Sequence, residues 1–499
     1  MKHMQISHFI PKNINYAIVL RFIGWLLNIE AAFMLLPMAV AFAYGEQHCA
    51  LMFLLSAGIT GFFGVLMTLI KPRSMVMQSR EGLLLTAMVW VAFSLFGMLP
   101  FLLTHTLTSV TDAYFECMSG FTTTGATVIT NVDATSHGIL FWRALMQWIG
   151  GMGIILFTLA VLPMFNYRGG IAMFNAEVTG ITKERLRPRV SQSAMSLWAL
   201  YIIISIVMAL MLWAGPMNWF DSLCHTMATV STGGFSTHTA GLFYYDDYYS
   251  KVVILVFMFL CGVNFTVLYR TLKGDVRALG KNDIFKCYAG TVAFFSIIVV
   301  AHICFSGSTS THNLFENVVD GFFDVVSAIT STGFSDYDYE KAGGFVSLVL
   351  MISMFFGASA GSTAGGAKID RMLVMLKNIK NEFYRALHPN AVTAVRISDH
   401  AMSQTQVNKV MAFLAVYVLL ILLSAAALSL MGLKLFDAAF TSMSAISNIG
   451  LGYGITGINS SFAALPCAGK WLVCFDMLVG RLELFTVLVL FTRNFWVKD

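Results

Sequence analysis

The stretch AYFECMSGFTTTGATV, residues 113–128, lies between two long apolar runs of the sequence. It is too short and too polar to cross a bilayer, since a spanning helix needs about 20 apolar residues. It is also rich in threonine and glycine for a loop, with Thr122–Gly125 in an unbroken row. Its position between two spans predicts a re-entrant segment, which enters the membrane and leaves on the same side.

The same segment recurs three more times along the chain. Each copy has an aspartate near its start and a glycine thirteen residues later, with Thr, Ser or Asn crowded before the glycine. The copies read TDAYFECMSGFTTTGATV, FDSLCHTMATVSTGGFST, VDGFFDVVSAITSTGFSD and FDAAFTSMSAISNIGLGY, with aspartates Asp112, Asp221, Asp320 and Asp437. Four matches at one spacing, each flanked by apolar runs, predict a fourfold internal repeat.

The composition places this repeat in a membrane. The 499 residues are 57% hydrophobic and 11% charged, whereas soluble domains carry about 25% charged residues. Ten runs are apolar enough to span a bilayer: 17–43, 49–70, 82–104, 138–163, 195–215, 251–270, 287–305, 345–376, 408–431 and 471–492. We therefore predict an all-α polytopic membrane protein.

Charge sets the predicted orientation. Most of the 31 lysines and arginines lie in alternate loops and at the termini. The positive-inside rule places these loops and both termini in the cytoplasm, and the four repeated segments outside. Because the basic residues lie in short loops, the net charge of +5 does not indicate nucleic-acid binding. The eight cysteines form no CxxC pair.

Each repeated segment predicts a short helix followed by an extended turn. Aspartate suits the first turn of a helix, whose negative end would then point toward the membrane centre. Irregular backbone at that depth must be buried in protein or line a water-filled cavity. Four such turns can form a ring of carbonyl oxygens that replaces the hydration shell of a monovalent cation. The predicted filter residues are Thr123, Thr124, Gly125, Thr232, Gly233, Gly234, Ser331, Thr332, Gly333, Asn448, Ile449 and Gly450. The alternative is four amphipathic loops that cap a helical bundle.

The eighth span contains FFGASAGSTAGGAKIDR, residues 355–371. Its glycines, Gly357, Gly361, Gly365 and Gly366, weaken a helix and predict a break below the proposed filter. A flexible loop there would block an ion path and could move aside. The alternative is close helix packing, because two pairs of these glycines have GxxxG spacing. A phosphate loop is excluded, since no Gly-Lys-Ser/Thr follows.

Arg481 is central in the last span, where a charge is costly and usually faces a cavity or a partner. Below a cation filter it would raise an electrostatic barrier. The alternative is a structural pair with Glu483 or Asp476, but both are poorly placed for it on a helix.

Four further polar residues lie near the repeated segments. Arg143, nearer the outer surface, is predicted to snorkel toward the interface. Glu116 and Asp324 follow the pore-helix aspartates by one turn, where they would either attract cations or form hydrogen bonds. His225 is predicted to pack in its pore helix rather than to relay protons.

Several of these motifs together resemble a known family. GFTTTGATV, STGGFS, TSTGFSD, SNIGLGYG, FWRALMQWIGGMGI and GRLE are similar to the membrane subunit of Trk/Ktr-type potassium uptake systems, of the TrkH/TrkG branch. The resemblance implies two N-terminal helices and four covalently linked M1-P-M2 pore units in pseudo-fourfold arrangement. The predicted divisions are 1–75 for the two helices and 76–190, 191–283, 284–400 and 401–499 for the units, the third with a gating loop.

The resemblance also implies a function. It indicates channel-like uptake of K+ across the bacterial cytoplasmic membrane, gated by the intramembrane loop and the arginine. Relatives with serine at the first filter glycine favour sodium, and all four glycines are present here. A homodimer and a cytoplasmic, TrkA-like nucleotide-binding subunit are implied, since the sequence has no nucleotide motif of its own. No covalent cofactor is predicted.

Two other classes of function fit the sequence less well. A secondary cation transporter, coupled to H+ or Na+, would have a midplane site built from inverted repeats, whereas these repeats all enter from one side. An intramembrane enzyme is disfavoured, because the sequence contains no HExxH motif and no paired catalytic aspartates on facing spans.

Overall fold

The computed structural model describes residues 14–72, 77–153, 190–245, 247–306, 314–335, 338–398, 400–457 and 460–496. Within these ranges the chain is built almost wholly of helices, as predicted. In chain order they are α1 (Tyr16–Ala43), α2 (Gln47–Thr68), α3 (Ser79–Gly97), α4 (Leu99–Leu103), α5 (Val110–Phe121), α6 (His137–Gly151), α7 (Val190–Trp213), α8 (Trp219–Val230), α9 (Tyr248–Cys261), α10 (Phe265–Leu272), α11 (Arg277–Lys281), α12 (Asp283–Ser306), α13 (Leu314–Ile329), α14 (Gly344–Phe356), α15 (Ile369–Leu387), α16 (Gln404–Leu430), α17 (Leu435–Ile446), α18 (Cys467–Arg481), α19 (Leu484–Leu488) and α20 (Arg493–Trp496). Short 3-10 turns lie at Gly241–Tyr244, Gly454–Thr456, Phe462–Ala464 and Val489–Phe491, and an antiparallel hairpin pairs β1 (Arg396–Ile397) with β2 (His400–Ala401).

The helices follow one plan four times after an N-terminal pair. Helices α1 and α2 pack together, and α1 also contacts α3 and α6. We name the repeats unit 1 (α3–α6), unit 2 (α7–α10), unit 3 (α12–α15) and unit 4 (α16–α19). Each has a long first helix, a short pore helix (α5, α8, α13 or α17) and a second helix (α6, α9, α14 or α18).

First and second helices differ in length. Six helices of the described chain are long and apolar enough to cross a membrane, and they are α1, α2 and the first helices of the four units, counting α3 with α4. Each second helix ends after 13 to 15 residues. A helix of that length covers about 20 Å, less than the ~30 Å hydrocarbon core. Every second helix therefore stops inside the membrane thickness.

The prediction of continuous spans at 251–270 and 471–492 was wrong. The first is a bent pair, with α9 and α10 at 106° to each other. Asn264 stabilises the bend, because its side-chain oxygen accepts the N–H groups of Thr266 and Val267 at the start of α10. The last span breaks after Arg481, where Glu483 has φ of 57°. In the predicted span 138–163, residues after Gly153 lie outside the described ranges.

The break predicted in the eighth span is present. Helix α14 ends at Phe356, residues 357–368 are not helical, and α15 starts at Ile369. Helix α15 then runs for 19 residues and is tied to the start of α12 by an ion pair of 3.0 Å between Lys377 and Asp283.

Pore helices form the interior of the bundle. All nine residues from Ala113 to Phe121 in α5 are buried, and α8 and α17 are buried nearly as completely. Their polar side chains are therefore held away from lipid.

One predicted pore-helix start was wrong. Asp112, Asp221 and Asp437 lie in the first turns of α5, α8 and α17. Asp320 is the seventh residue of α13, because this helix starts about one turn earlier, at Leu314, and has Glu316 in its first turn. The preceding residues, 307–313, lie outside the described ranges. All four pore helices nevertheless end nine residues after the aspartate.

Candidate functional site

The four pore helices end in the same backbone turn. The second residue after the end of the helix adopts a left-handed conformation in every unit, with φ of 54° at Thr123, 55° at Thr232, 54° at Ser331 and 53° at Asn448. The next N–H group then bonds back to the helix: Thr124 to Ser119, Gly233 to Ala228, Thr332 to Ser327 and Ile449 to Ser444, at 2.7–2.9 Å. This is the left-handed C-cap that glycine usually occupies. Four different sequences therefore form one turn, which indicates that the surrounding packing holds it.

Two positions after the left-handed residue, every unit has a glycine, again with positive φ. The values are 83° at Gly125, 79° at Gly234, 81° at Gly333 and 83° at Gly450. A non-glycine residue is strained in this region. Each turn therefore has positive φ at its first and third residues but not at the second, and all four units share this pattern.

These glycines close a ring. A Cβ atom added to Gly125 would lie less than 3.0 Å from the carbonyl oxygen of Gly233, in the next unit. In the same way, a Cβ atom added to Gly234 would strike the carbonyl oxygen of Thr332. One added to Gly333 would strike that of Ile449, and one added to Gly450 would strike that of Thr124. Each glycine thus faces one carbonyl of the following unit, and the fourth unit returns to the first. The four turns surround a common axis, and a side chain at any of the glycines would strain the backbone and force the facing carbonyl to shift.

Hydroxyl groups beside the ring are used by the protein. Thr124 Oγ1 lies 2.8 Å from Thr122 Oγ1 and 3.1 Å from Asn448 Nδ2. In unit 3, Thr332 Oγ1 lies 2.8 Å from Thr330 Oγ1. These hydroxyls are thus bonded to other side chains, whereas the atoms that face the ring glycines are backbone oxygens.

A side chain from each pore helix holds the strand that leaves the ring. In three units it bonds to a hydroxyl eleven residues later: Glu116 to Thr127 at 2.9 Å, His225 to Ser236 at 3.1 Å and Asp324 to Ser335 at 3.5 Å. In unit 4 the partners are Thr441 and Thr456, 3.1 Å apart. We call these four contacts the clamps.

The clamps settle the roles that the sequence left open. Glu116 is fully buried and Asp324 is 2% exposed, so both act through hydrogen bonds rather than as surface charges. His225 is packed in its pore helix, as predicted. Its Nδ1 donates to the carbonyl oxygen of Asp221 at 2.9 Å, which leaves Nε2 to accept from Ser236.

The prediction that Arg143 snorkels was wrong. Its side chain is 2% exposed, and Nε pairs with Glu116 at 2.9 Å. Its other nitrogens donate to Thr127 Oγ1 and to the carbonyl oxygen of Ser236. The guanidinium also stacks on Phe235. Arg143 thus joins the clamp of unit 1 to the strand that leaves the ring in unit 2. Its guanidinium also balances the charge of the Glu116 carboxylate, which would be costly to bury without a cation.

The glycines of the eighth span lie in the non-helical segment 357–368, which we call the loop. Gly357, Gly361 and Gly366 have positive φ, so these glycines do not lie on a helix and the helix-packing interpretation is wrong. Gly365 lies directly under the ring, where its N–H donates to Ser331 Oγ at 2.5 Å. A Cβ atom there would also strike the carbonyl oxygen of Ser447.

Unit 2 holds the other side of the loop. The Asn264 amide donates to the carbonyl oxygen of Ala360 at 2.6 Å, and the N–H of Phe265 donates to that of Gly361 at 3.0 Å. The loop N–H of Ser359 donates in return to the carbonyl oxygen of Gly262. The residues at the bend in unit 2 therefore hold the loop in place.

Arg481 connects the loop to unit 1. One nitrogen donates to the carbonyl oxygen of Thr363 in the loop at 2.9 Å, and the other to those of Gly150 and Gly151 at 2.5 and 2.9 Å. The two nearby acids have other partners. Glu483 pairs with Arg371 at 2.5 Å, and Asp476 accepts from Ser424. A cavity of about 100 Å³ lies here, lined in part by Arg481, Gly365 and Lys368.

A wider cavity of about 850 Å³ opens on the other side of the ring, with Gly125 and Gly234 at its floor. Asp133 lies in its wall, in the loop outside the spans. Hydrogen bonds from Thr239, and then from His238 at 2.8 Å, hold the pKa of the Asp133 carboxyl below its ordinary value. The Asp133 carboxylate in this cavity therefore stays charged to a lower pH than an ordinary aspartate would.

The pore-helix aspartates have separate partners. Asp112 accepts from Lys470 Nζ at 2.6 Å, and Asp221 accepts from Tyr245 at 2.6 Å. Asp437 packs against Gly454. They anchor the N-terminal ends of α5, α8 and α17 and do not meet at one site.

Sequence reasoning missed Gln147, Asn264, Lys368 and Arg371. Lys368 is 5% exposed and donates to the carbonyl oxygen of Ala364 inside the loop. Polar residues within apolar runs were the available signal, as they were for Arg481. Among the described residues, no group of three or more His, Cys, Asp or Glu side chains could hold a metal ion.

Comparisons with known proteins agree with this architecture. The family model of TrkH, a cation transport protein, matches residues 59–278 and 284–497. The Trk system potassium uptake protein TrkH of Escherichia coli K12 is 35% identical over 427 residues, covering 84% of this chain and 86% of that protein. The Halomonas elongata TrkH is 34% identical over 488 residues, covering 96% and 99%. The crystal structure of the potassium transporter TrkH from Vibrio parahaemolyticus matches with a TM-score of 0.86 and 30% identity, covering 97% of this chain and all of that one. The chain is a multi-pass membrane protein that belongs to the TrkH family of cation transport proteins, and not an enzyme.

Proposed function

We propose that this chain takes up K+ through the ring, as the membrane subunit of a potassium uptake system. The observation that carries the proposal is the closed cycle of glycines, each facing a carbonyl oxygen of the next unit. The filter residues would be Thr123–Gly125, Thr232–Gly234, Ser331–Gly333 and Asn448–Gly450. The names of the relatives, which are potassium uptake proteins, support K+ as the cargo.

The filter would work with backbone oxygens. A ring of carbonyls replaces the water around a monovalent cation, and its selectivity depends on ring geometry and on the field of the carbonyl dipoles. Four helices, α5, α8, α13 and α17, end at the ring. The negative ends of their dipoles add to the attraction. The buried clamps keep the ring from changing shape.

The loop would be the gate. It fills the space directly beneath the ring, where Gly365 bonds to the filter residue Ser331. Arg481 adds a positive charge on the path below and fastens the loop to unit 1. Opening would break these contacts, and the four glycines supply the backbone freedom for that motion. The membrane potential would then draw K+ inward.

Orientation and partners follow from charge. We place the protein in the bacterial cytoplasmic membrane with both termini and the basic loops in the cytoplasm. Helix α15 leaves the gate carrying Lys377, Lys380 and Arg385. A cytoplasmic, TrkA-like subunit that binds the nucleotide would act on this helix, and two copies of the chain would assemble as a homodimer. The predicted unit boundaries belong to the same proposal.

Flux in liposomes tests the proposal. Purified protein is reconstituted into liposomes with a K+ gradient and no gradient of H+ or Na+. The rates of Rb+ uptake and Na+ uptake are then compared. We expect potential-driven Rb+ uptake well above Na+ uptake, and loss of that preference in Gly125→Ser. Gly58→Ser is the matched control, because Gly58 has open space around it.

Equal uptake of both ions by the unmodified protein would contradict potassium selectivity. Uptake that requires a gradient of H+ or Na+ would favour the alternative, a coupled secondary transporter with a midplane site.

A further inference from the structure

The turn of unit 2 lacks a side chain that the other three have. Its middle residue is Gly233, where units 1, 3 and 4 have Thr124, Thr332 and Ile449. The backbone does not require glycine there, because Gly233 is not among the residues with positive φ. The reason is space. The three nearest neighbours of an added Cβ atom would be Cδ, Oε1 and Nε2 of Gln147, each closer than 3.0 Å.

Gln147 fills that space and bonds to the turn at both ends. Its Nε2 donates to the carbonyl oxygen of Gly233 at 2.6 Å, and its Oε1 accepts from the N–H of Phe235 at 3.1 Å. The side chain is fully buried. It comes from α6 of unit 1, so one unit supplies the packing behind the ring segment of the next.

The carbonyl held by Gln147 belongs to the ring. The oxygen of Gly233 is the atom that faces Gly125. In the described part of the chain, the corresponding oxygens of Thr124, Thr332 and Ile449 receive no hydrogen bond from a side chain. The position of one ring oxygen in four is therefore set by a specific donor.

Arg143 lies one turn earlier on the same helix face and grips the same strand at Ser236. The two residues do different things, however. Arg143 joins a clamp outside the ring, whereas Gln147 contacts a ring oxygen directly. A change in Gln147 should thus alter the ring without removing the buried ion pair.

We propose that Gln147 is a positioning residue that determines selectivity by fixing the Gly233 carbonyl. The inference rests on the proposed function of the ring. A ring oxygen held from behind cannot move inward around a smaller ion, so losing the hold should admit Na+ more than it impairs Rb+.

The test uses Gln147→Met, which keeps length but removes both hydrogen bonds. We expect the ratio of Rb+ to Na+ uptake in liposomes to fall about fivefold, the factor that one ordinary hydrogen bond represents. Thermal stability and Rb+ uptake should change less. A space-filling role alone would leave the ratio unchanged, and that result would overturn the inference.

A swap keeps the test valid if Gln147→Met fails to fold. Gly233→Thr alone should lose transport, because the new side chain strikes Gln147. Adding Gln147→Ala should restore Rb+ uptake, because the clash is gone, but the Rb+ to Na+ ratio should stay low, because the carbonyl of residue 233 has lost its donor. A double variant that regains both Rb+ uptake and the original Rb+ to Na+ ratio would overturn the inference.

Gly234→Ser separates this inference from the proposed function. If Gly234→Ser changes the Rb+ to Na+ ratio and the Gln147 variants do not, the filter stands and the role of Gln147 is wrong. If folded Gly234→Ser transports with the original ratio, the filter itself is wrong, and the inference fails with it.

Discussion

The ring of turns and the layer beneath it come from the same four units, but only the ring repeats. In the ring, the left-handed angles of corresponding residues agree within a few degrees although the side chains differ. Beneath it, unit 1 presents carbonyls at Gly150 and Gly151, unit 2 bends at Asn264, unit 3 inserts the loop and unit 4 supplies Arg481.

This difference separates two physical demands. A ring of oxygens around one axis needs equal backbone geometry from every unit, because one deviating turn deforms the whole ring. The layer below needs contacts between unlike partners, a donor against a carbonyl, and these cannot be supplied by four equal units. We expect changes in the ring to affect every unit, and changes beneath it to act through single contacts.

The largest effect on transport is expected for a ring glycine. In Gly333→Ala the new Cβ would strike the carbonyl oxygen of Ile449 at a backbone with φ of 81°. Strain of about 3 kcal/mol corresponds to a loss of Rb+ uptake of about 100-fold. Gly58→Ala, on an open helix face, is the control for folding. Uptake near the original level in Gly333→Ala would show that the turns do not need equal geometry.

The largest effect on stability is expected for the clamp of unit 1. Arg143→Met leaves the carboxylate of Glu116 buried without its cation, and we expect a loss of about 3–5 kcal/mol in the free energy of unfolding. Denaturation in detergent measures it, with the exposed Arg493→Met as control.

Adding Glu116→Gln to Arg143→Met should recover part of this stability, because the unpaired charge is gone. If the double variant is no more stable than the single one, the cost does not come from the buried charge.

A gate contact should act in the opposite direction from a ring glycine. Arg481→Gln removes charged hydrogen bonds that fasten the loop to unit 1, so the closed state loses about 1.5 kcal/mol and flux should rise about tenfold. Rb+ uptake into liposomes measures this, and the exposed Arg277→Gln is the control. Reduced uptake in a folded Arg481→Gln protein would assign the arginine to conduction instead of closure.

The smallest effect concerns two clamps that differ in charge. Ser236→Ala removes a neutral hydrogen bond to His225 and should cost about 1 kcal/mol of unfolding free energy. Thr127→Val takes a donor from the Glu116 carboxylate and should cost about 2 kcal/mol. Denaturation midpoints of the two variants make the comparison. Equal costs would mean that the ionic clamp of unit 1 is no stronger than the neutral one of unit 2.

The sequence predicts much of this architecture because repeats are visible in it. The spacing from Asp112 to Gly125, found four times, located all four turns and the ends of all four pore helices. The length of the apolar runs located the first helix of each unit, because every helix that crosses a bilayer needs about 20 apolar residues. The same criterion failed at α9 and α18, where apolar residues continue through a break. A break stabilised by Asn264 or Arg481 depends on partners that are distant in the sequence.

Local sequence thus determined the membrane class, the fourfold repeat, the glycines of the ring and the break at residues 357–368. Each of these follows from composition or from backbone freedom at a single position. The tertiary structure alone decided that Arg143 is buried, that Gln147 fills the space beside Gly233 and that Arg481 joins the loop to unit 1. These contacts join residues of different units, and the energy of a buried polar group depends on which partner folding brings to it.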